Sequence, residues 1–541
     1  MRAFAELLDR LSLTASRNAK LTLVRDYLRA TPDPDRGWAL AALTGDLSFS
    51  AAKPAFIRKA VEARMDPQLF WWSYDYVGDL AETVALVWPA RPGANRDPEL
   101  SEVVEALRTA GRGEVQGLIE GWLDAMREPR ERWALLKLVT GALRVGLSAR
   151  LAKQAAADIG AGVAVAEVEE LWHALHPPYE DLFAWLEGRS EKPTSEHPAR
   201  FRPAMLAQAI DEAVDFAKLD PADYAAEWKW DGIRVQAANE GGVRRLYTRT
   251  GDDISRTFPD VLDSLHDEGV VDGELLVIRD GRVASFADLQ QRLNRKTVDA
   301  KLTAAYPAAI RAYDILAEGP EDLRTLPFAE RRRRLEAFVA RQHSSRLDLS
   351  PLQPFDGWPE LAQLRASPPR GDPQIAEGLM LKRWDSLYEA GRPKGPWFKW
   401  KRDPFLIDAV LMYAQRGHGK RSSFYSDYTF GVWTEDAAGQ RALTPVGKAY
   451  FGFTDEELKQ IDKYVRDHTI ERFGPVRSIR AEPHAGLVFE VAFEGLQRST
   501  RHKSGVAMRF PRINRIRWDK PPGEADELAS LERLMERIEG R

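Results

Sequence analysis

Three lysines raise the first chemical question. Lys229 lies in Glu227-Trp228-Lys229-Trp230-Asp231-Gly232, and Lys399 and Lys401 lie in Trp397-Phe398-Lys399-Trp400-Lys401. Successive side chains of a β-strand point to opposite faces. Read as strands, the first stretch gathers Glu227, Lys229 and Asp231 on one face and Trp228 and Trp230 on the other. The second gathers Lys399 and Lys401 on one face and Phe398 and Trp400 on the other. Such lysines either form structural ion pairs, as most do, or serve as reactive and charge-neutralising groups in a polar pocket backed by aromatics. A lone Lys-x-Asp-Gly is a weak pattern. Its company strengthens it: Glu274 in "VDGELLV", Tyr313 and Asp314 in "YDIL", and Glu377 in "EGLMLK".

The elements that carry these residues are read from composition and periodicity. The chain has 541 residues, enough for three or four domains. Hydrophobic residues make up 44%, charged residues 30%, and the formal net charge is −4. Sizeable cores are therefore possible, and any basic surface is local. The absence of cysteine excludes disulfides and thiolate zinc sites. Residues 1 to about 187 repeat apolar side chains at three- and four-residue spacing, as in "FAELLDRLSL", and read as helical. Residues 187–203 are polar and proline-bearing, an expected linker. From 222 to 402 short alternating strands appear among helices, with a hairpin expected around Asp280-Gly281. From about 404 the texture is β-rich, with one helix at "TDEELKQIDKYVRDHT" and another in the tail, which suits a small barrel such as an OB-fold. No apolar run reaches membrane-spanning length, and the N-terminus lacks a signal-peptide pattern. A cytoplasmic protein with no membrane partner is expected.

Three further motifs read as ordinary structure. Gly417-His418-Gly419-Lys420 lacks the earlier glycine of a phosphate loop, because Ala414 stands there. His173 and His176 have no Glu-x-x-His partner and read as helix residues. The run from Glu330 through Arg331, Arg332, Arg333 and Arg334 to Glu336 reads as a solvated helix face. Two basic features are different. The turn through Gly146, flanked by Arg144, Arg150 and Lys153, is either a plain helical hairpin or a phosphate-binding turn. Between 501 and 520, Arg501, Lys503, Arg509, Arg512, Arg515, Arg517 and Lys520 face one acid, Asp519, a basic stripe expected to contact phosphates.

Taken in order, Lys229-x-Asp231-Gly232-x-Arg234, the "TRTG" holding Arg249, the "VDGE" of Glu274, the "YD" of Tyr313, "EGLMLK" and "WFKWK" resemble the motifs of the covalent nucleotidyltransferase superfamily. Their order and spacing resemble those of the ATP-dependent DNA ligases, in the bacterial three-domain form. "RFPRINRIRWDK" (509–520) resembles the motif that the OB domain carries, and "GALRVGLS" (141–148) a segment of the helical DNA-binding domain. The resemblance covers nearly the whole chain. It implies a multidomain protein: an all-α N-terminal DNA-binding domain with linker at 1–200, an α+β, ATP-grasp-like nucleotidyltransferase domain at 201–402, and a β-barrel OB-fold domain with a C-terminal helix at 403–541.

The implied reaction joins a 3′-hydroxyl to a 5′-phosphate at a nick in duplex DNA, using ATP and Mg²⁺, for which Mn²⁺ can substitute. Lys229 is the implied nucleophile; it must attack as a free amine, from a reference pKa of about 10.4. By resemblance, Glu227 accepts from the adenine amino group and Tyr313 stacks on adenine. Arg234, Arg249 and Arg392 contact ribose or phosphate, and Lys399 and Lys401 neutralise the α-phosphate. Glu274 contacts ribose or metal, and Glu377 holds the metal. Arg509 and Arg512, with Asp519 and Lys520, orient pyrophosphate when a hinge near Arg402-Asp403 closes. Arg144, Arg150, Lys503 and Arg515 are the candidate DNA contacts. Glu377 and Lys382 are five apart, on opposite faces of a regular strand, so Lys382 is left out of the site. A monomer working in DNA repair, replication or recombination on the nucleoid of a bacterium, beside a main ligase, is the implied setting. Two other readings stay open: an RNA ligase or mRNA-capping nucleotidyltransferase, and a DNA-binding protein with a decayed site. A NAD-dependent ligase would need a four-cysteine zinc finger that this chain lacks.

Overall fold

The computed structural model describes residues 1–49, 54–77, 79–91, 96–111, 113–141, 143–193, 198–279, 281–293, 295, 297–366, 376–417, 424–435, 439–473, 476–500 and 502–539. The chain divides into two compact units. One comprises Met1–Val165, Leu175–Pro193 and Pro404–Arg541, the other Ala166–Ala174 and Thr194–Asp403.

The first part of the chain is helical. Ser16 starts the helix Arg17–Ala30 by accepting from the Ala19 amide, and Ser148 starts Ala149–Ala157 by accepting from Leu151, as N-caps do. Gly141, in the left-handed region at φ 68°, ends the helix Pro129–Thr140. The turn between these last two helices is tied from outside. Lys20 is buried, and its Nζ donates to the carbonyls of Val145 and Gly146 at 2.7 Å each. These bonds answer two carbonyls that no helix uses. Lys20→Met strands them and is expected to lower stability by about 2 kcal/mol. Denaturant unfolding followed by helical circular dichroism tests this; an unchanged midpoint would show that the turn holds itself.

The second unit contains two sheets. The five-stranded sheet runs Gln208–Ala209, Trp397–Lys401, Ala376–Arg383, Tyr224–Trp230, Leu352–Gln353. Its buried aromatics carry the core: Trp228, Trp230, Phe398 and Trp400 share one cluster with Leu379 and Leu381. The other sheet has the order Val243–Thr248, Ile233–Glu240, Gly269–Arg279, Ala308–Glu318, Glu321–Asp322, with two short added strands. The expected hairpin forms, since Arg279 pairs with Arg282, though Asp280 lies outside the described residues. Helix Phe328–Gln342 covers this sheet through Leu335 and Phe338.

That helix departs from the sequence expectation. Arg331 and Arg332 are buried rather than solvated. Arg331 holds Asp314 through two hydrogen bonds of 2.8 and 3.0 Å, and Arg332 reaches Glu227 at 2.9 Å. A charge run reads as surface when its partners lie far away in sequence, and here they stand on two different strands. His173 likewise packs against the rings of Phe201 and Tyr247, at 5.6 and 5.0 Å between centroids.

The C-terminal residues build a β-rich half-barrel. Phe405–Arg416 pairs with Tyr425–Glu435, Val476–Ile479 and Val488–Phe493, and the last pairs in turn with Arg512–Arg517. The capping box of Thr454 and Glu457 starts the helix Asp455–Asp467. No described helix is long and apolar enough to cross a membrane.

Candidate active site

Strand alternation delivers the lysines as the sequence requires. Glu227, Lys229, Arg234, Arg249, Glu274, Tyr313, Arg392, Lys399 and Lys401 all line one cavity of about 500 Å³. Met380, at the middle of the sheet, pairs with Glu227 on one side and Lys399 on the other, which sets the two charged rows across one face. Glu377 accepts a short hydrogen bond from Lys229 Nζ, and Lys401 Nζ stands 3.9 Å from the same oxygen.

Lys382 also lines the cavity, against the parity argument. The strand Ala376–Arg383 is not regular: its register shifts between Ala376 and Leu379. Gly378 sits there at φ 141°, and the bulge shifts the alternation by one residue. Glu377 and Lys382 therefore serve the same site. Buried Lys382 Nζ lies 3.0 Å from Glu227 Oε2 and donates to the Tyr313 carbonyl at 3.0 Å, with its charge 4.4 Å from the Tyr313 ring centroid. Glu227 is thus clamped by Lys382 and Arg332, one cation on each oxygen. Burial pushes its carboxyl up, and the two cations oppose that. Each oxygen keeps a further lone pair able to accept a hydrogen bond.

Arg234 is held just as firmly. Asp272 takes two of its hydrogen bonds, at 3.0 and 2.6 Å, the Met205 carbonyl takes a third, and Tyr388 bridges to the same carboxylate. Neither Asp272 nor Tyr388 stood out in the sequence. The register pair Arg234 and Glu274 was the available signal, and it requires knowing which strands meet.

Lys399 and Glu274 also have perturbed acidities. Burial and the surrounding cations Lys401, Arg392, Lys229 and Arg249 hold the Lys399 ammonium below its ordinary value. Lys399 has no ion-pair partner among the described residues, so four cations converge on a fifth with no acid of its own. Such a cluster calls for an anion. Burial pushes Glu274 up to about 8; Glu377 and Asp231 add to this, while Lys229 and Arg234 oppose it. A carboxyl whose pKa is higher folded than unfolded stabilises the fold fully below about pH 4.5 and loses that contribution as pH rises through 8. The ligand-free protein is therefore expected to lose about 1–2 kcal/mol across that interval, allowing for partial exposure, and Glu274→Gln to flatten the decline. Thermal midpoints measured across the interval for both proteins test this; equal slopes would remove Glu274 as the cause.

The remaining candidates lie in the other unit. Arg144 is exposed at φ 44°, and Arg150 opens the helix Ala149–Ala157. Lys503 is exposed between the strands Gly495–Arg498 and Val506–Arg509, and Arg501 lies outside the described residues. The basic stripe is less charged than its count. Asp408 takes Arg517 at 3.1 Å and Lys520 at 2.7 Å, and Asp519 also pairs with Arg517. Arg515 stands 3.4 Å from Glu490, and Arg512 stands 4.0 Å from Glu494. Lys520 is thus already engaged, and Arg509 lies beside the exposed ring of Phe510.

Three family models match: DNA ligase N terminus over residues 1–157, ATP dependent DNA ligase domain over 204–401, and ATP dependent DNA ligase C terminal region over 421–520. A protein of Koribacter versatilis named "Probable DNA ligase" is 31% identical, covering 99% of this chain and 96% of the relative. "DNA ligase 1" of Korarchaeum cryptofilum is 31% identical, covering 99% and 98%. The solved structure named Pmar-Lig_Pre shares the fold with a TM-score of 0.58 at 16% identity, over 96% of this chain and 99% of its own.

Proposed function

The chain belongs to the ATP-dependent DNA ligase family, and from that membership we propose that it seals 3′-hydroxyl/5′-phosphate nicks in duplex DNA through an AMP carried on Lys229. The observation that carries this reading is the convergence of Lys401, Arg392, Lys229 and Arg249 on Lys399, around a cavity walled by the lysine that pairs with Glu377.

Three displacements at phosphorus follow. The Lys229 nitrogen, as the free amine, bonds to the α-phosphorus of ATP and gives up a proton to solvent, and the α–β P–O bond breaks, releasing pyrophosphate. An oxygen of the DNA 5′-phosphate then bonds to that phosphorus, the P–N bond breaks, and the lysine nitrogen takes a proton back from solvent. Last, the 3′-hydroxyl oxygen bonds to the 5′-phosphorus, AMP leaves, and the hydroxyl proton passes to solvent. Positioning and charge neutralisation dominate such steps. Lys399 and Lys401 neutralise the α-phosphate. Arg249 and Arg392 hold ribose or phosphate, Arg234 completes that wall, Tyr313 stacks on adenine, and the clamped Glu227 accepts from its amino group. Arg509 and Arg512 orient pyrophosphate, and Arg144, Arg150, Lys503 and Arg515 meet the DNA backbone. The domains run 1–200, 201–402 and 403–541, with the hinge at Arg402-Asp403. The protein works as a monomer on nucleoid DNA, in repair or replication.

Among the described residues no group of three or more metal-ligating side chains forms a cage. Glu274 and Glu377 suit Mg²⁺ nonetheless, because Mg²⁺ binds through one or two carboxylates and otherwise through phosphates and water. Bound there, the ion, or Mn²⁺ in its place, would supply charge neutralisation at the phosphates.

A nicked duplex labelled at its internal 5′-phosphate, given ATP and Mg²⁺, tests the reading. An adenylated 5′ end followed by a sealed strand is the expected sequence. Sealing confined to RNA, or activity with GTP or NAD in place of ATP, would replace it.

A further inference from the structure

The strand Trp397–Lys401 has two faces, and the nucleotide cavity uses one. Beside the other, where Phe398 points, a second and more open hollow of about 570 Å³ lies against the edge strand Gln208–Ala209. Lys218, Arg392 and Lys394 line it, all exposed, and none has an ion-pair partner among the described residues. Among the described residues one acid stands on its wall, Asp215, whose carboxylate accepts from the Asp211 amide at 2.7 Å. Among the described residues Arg392 is the one shared by both hollows.

The loop that presents Arg392 and Lys394 is fixed at each end. Gly391 donates to the Ala204 carbonyl and accepts from Leu206. Gly395, at φ 95°, donates to Gln208 Oε1 at 3.2 Å and accepts from the Tyr224 hydroxyl at 2.9 Å. Pro396 accepts from the Arg383 amide. Holding three cations around a groove whose wall carries one carboxylate costs free energy in the unbound protein, and an anion recovers it.

We propose that this groove binds a backbone phosphate of the DNA strand whose nick is sealed, with Lys218 and Lys394 as its cations and Arg392 as the link to the nucleotide cavity. This rests on the DNA-ligase reading. A mononucleotide in the cavity lies on the opposite face of the strand. A polymer with regularly spaced phosphates can set one group at Arg392 and the next in the groove. The lysines suit this use, being point charges on flexible stems that grip phosphate without reading sequence.

The test is Lys218→Ala/Lys394→Ala in the full chain, loaded with AMP, binding a nicked duplex with a 3′-dideoxy end so that no sealing occurs. We expect binding about tenfold weaker, and a slope of log affinity against log salt shallower by about 0.9 per lost phosphate contact. The KM for ATP in self-adenylylation should stay unchanged, which also reports an intact fold. Wild-type affinity and salt slope in the variant would overturn the proposal. A raised KM for ATP with unchanged nick binding would overturn it too, by giving the groove to the phosphates of ATP. A wild type that takes no AMP, or does not bind the nick, would instead remove the functional reading beneath it.

Discussion

Lys229→Ala leaves no AMP on the protein. Wild type first stripped of bound AMP with pyrophosphate, then given α-labelled ATP and Mg²⁺, should carry acid-labile label through denaturing electrophoresis; the variant should carry none. The expected loss exceeds about a thousandfold, which corresponds to about 4 kcal/mol or more of barrier. The size follows from chemistry. The first step needs a nitrogen lone pair at one point beside the α-phosphorus. Lys399 and Lys401 line the same cavity but stand on a different strand. A displacement of about 1 Å can cost a hundredfold, so neither amine replaces the missing one. Lys229→Arg sharpens the test. A guanidinium keeps its proton at any working pH, so it preserves the charge beside Glu377 but offers no lone pair. Label on either variant would move the nucleophile to another residue and sink the assignment of Lys229.

The parts of the site legible in the sequence are those where the strand period alone decides a side chain's direction. Trp228 and Trp230 had to be core if Lys229 was not, and they share a cluster with Phe398 and Trp400. The division into a helical part, a mixed part and a β-rich part was legible for the same reason, because periodicity changes along the chain. What escaped were the partners. Arg331 and Arg332 looked solvated because Asp314 and Glu227 lie 17 and 105 residues away in sequence. The stripe at 501–520 looked more basic than it is because Asp408 lies 109 residues before Arg517 and 112 before Lys520. No local pattern encodes a cross-strand neighbour. Lys382 escaped for a subtler reason, a single backbone dihedral at Gly378 that breaks the period on which the reading relied.

That dihedral supports the second large prediction. Gly378→Ala should cut the rate of self-adenylylation by about a hundredfold and destabilise the second unit by several kcal/mol. A Cβ at this position would stand 2.2 Å from the Trp400 carbonyl oxygen and 2.7 Å from Lys401 Cα. Both are backbone atoms of the strand that carries Lys399 and Lys401, so no side chain can rotate away to relieve the contact. The φ of 141° adds strain of its own for any residue with a Cβ. The chain has two ways out. It can push the strand Trp397–Lys401 away, which displaces both lysines. Or it can undo the bulge, which turns either Glu377 or Lys382 out of the site, because a regular strand cannot face both inward. Each route removes a partner of the cavity: Glu377 pairs with Lys229, and Lys382 pairs with Glu227. Gly357→Ala is the matched control. Its Cβ would meet only Pro359 Cδ at 3.6 Å, an ordinary contact, and it should stay within about 0.5 kcal/mol of wild type with an unchanged adenylylation rate. Single-turnover labelling with excess ATP, alongside denaturant midpoints for both variants, separates the two. If Gly378→Ala labels and unfolds like wild type, the bulge does not hold Glu377 and Lys382 on a common face, and the clamp on Glu227 needs another support.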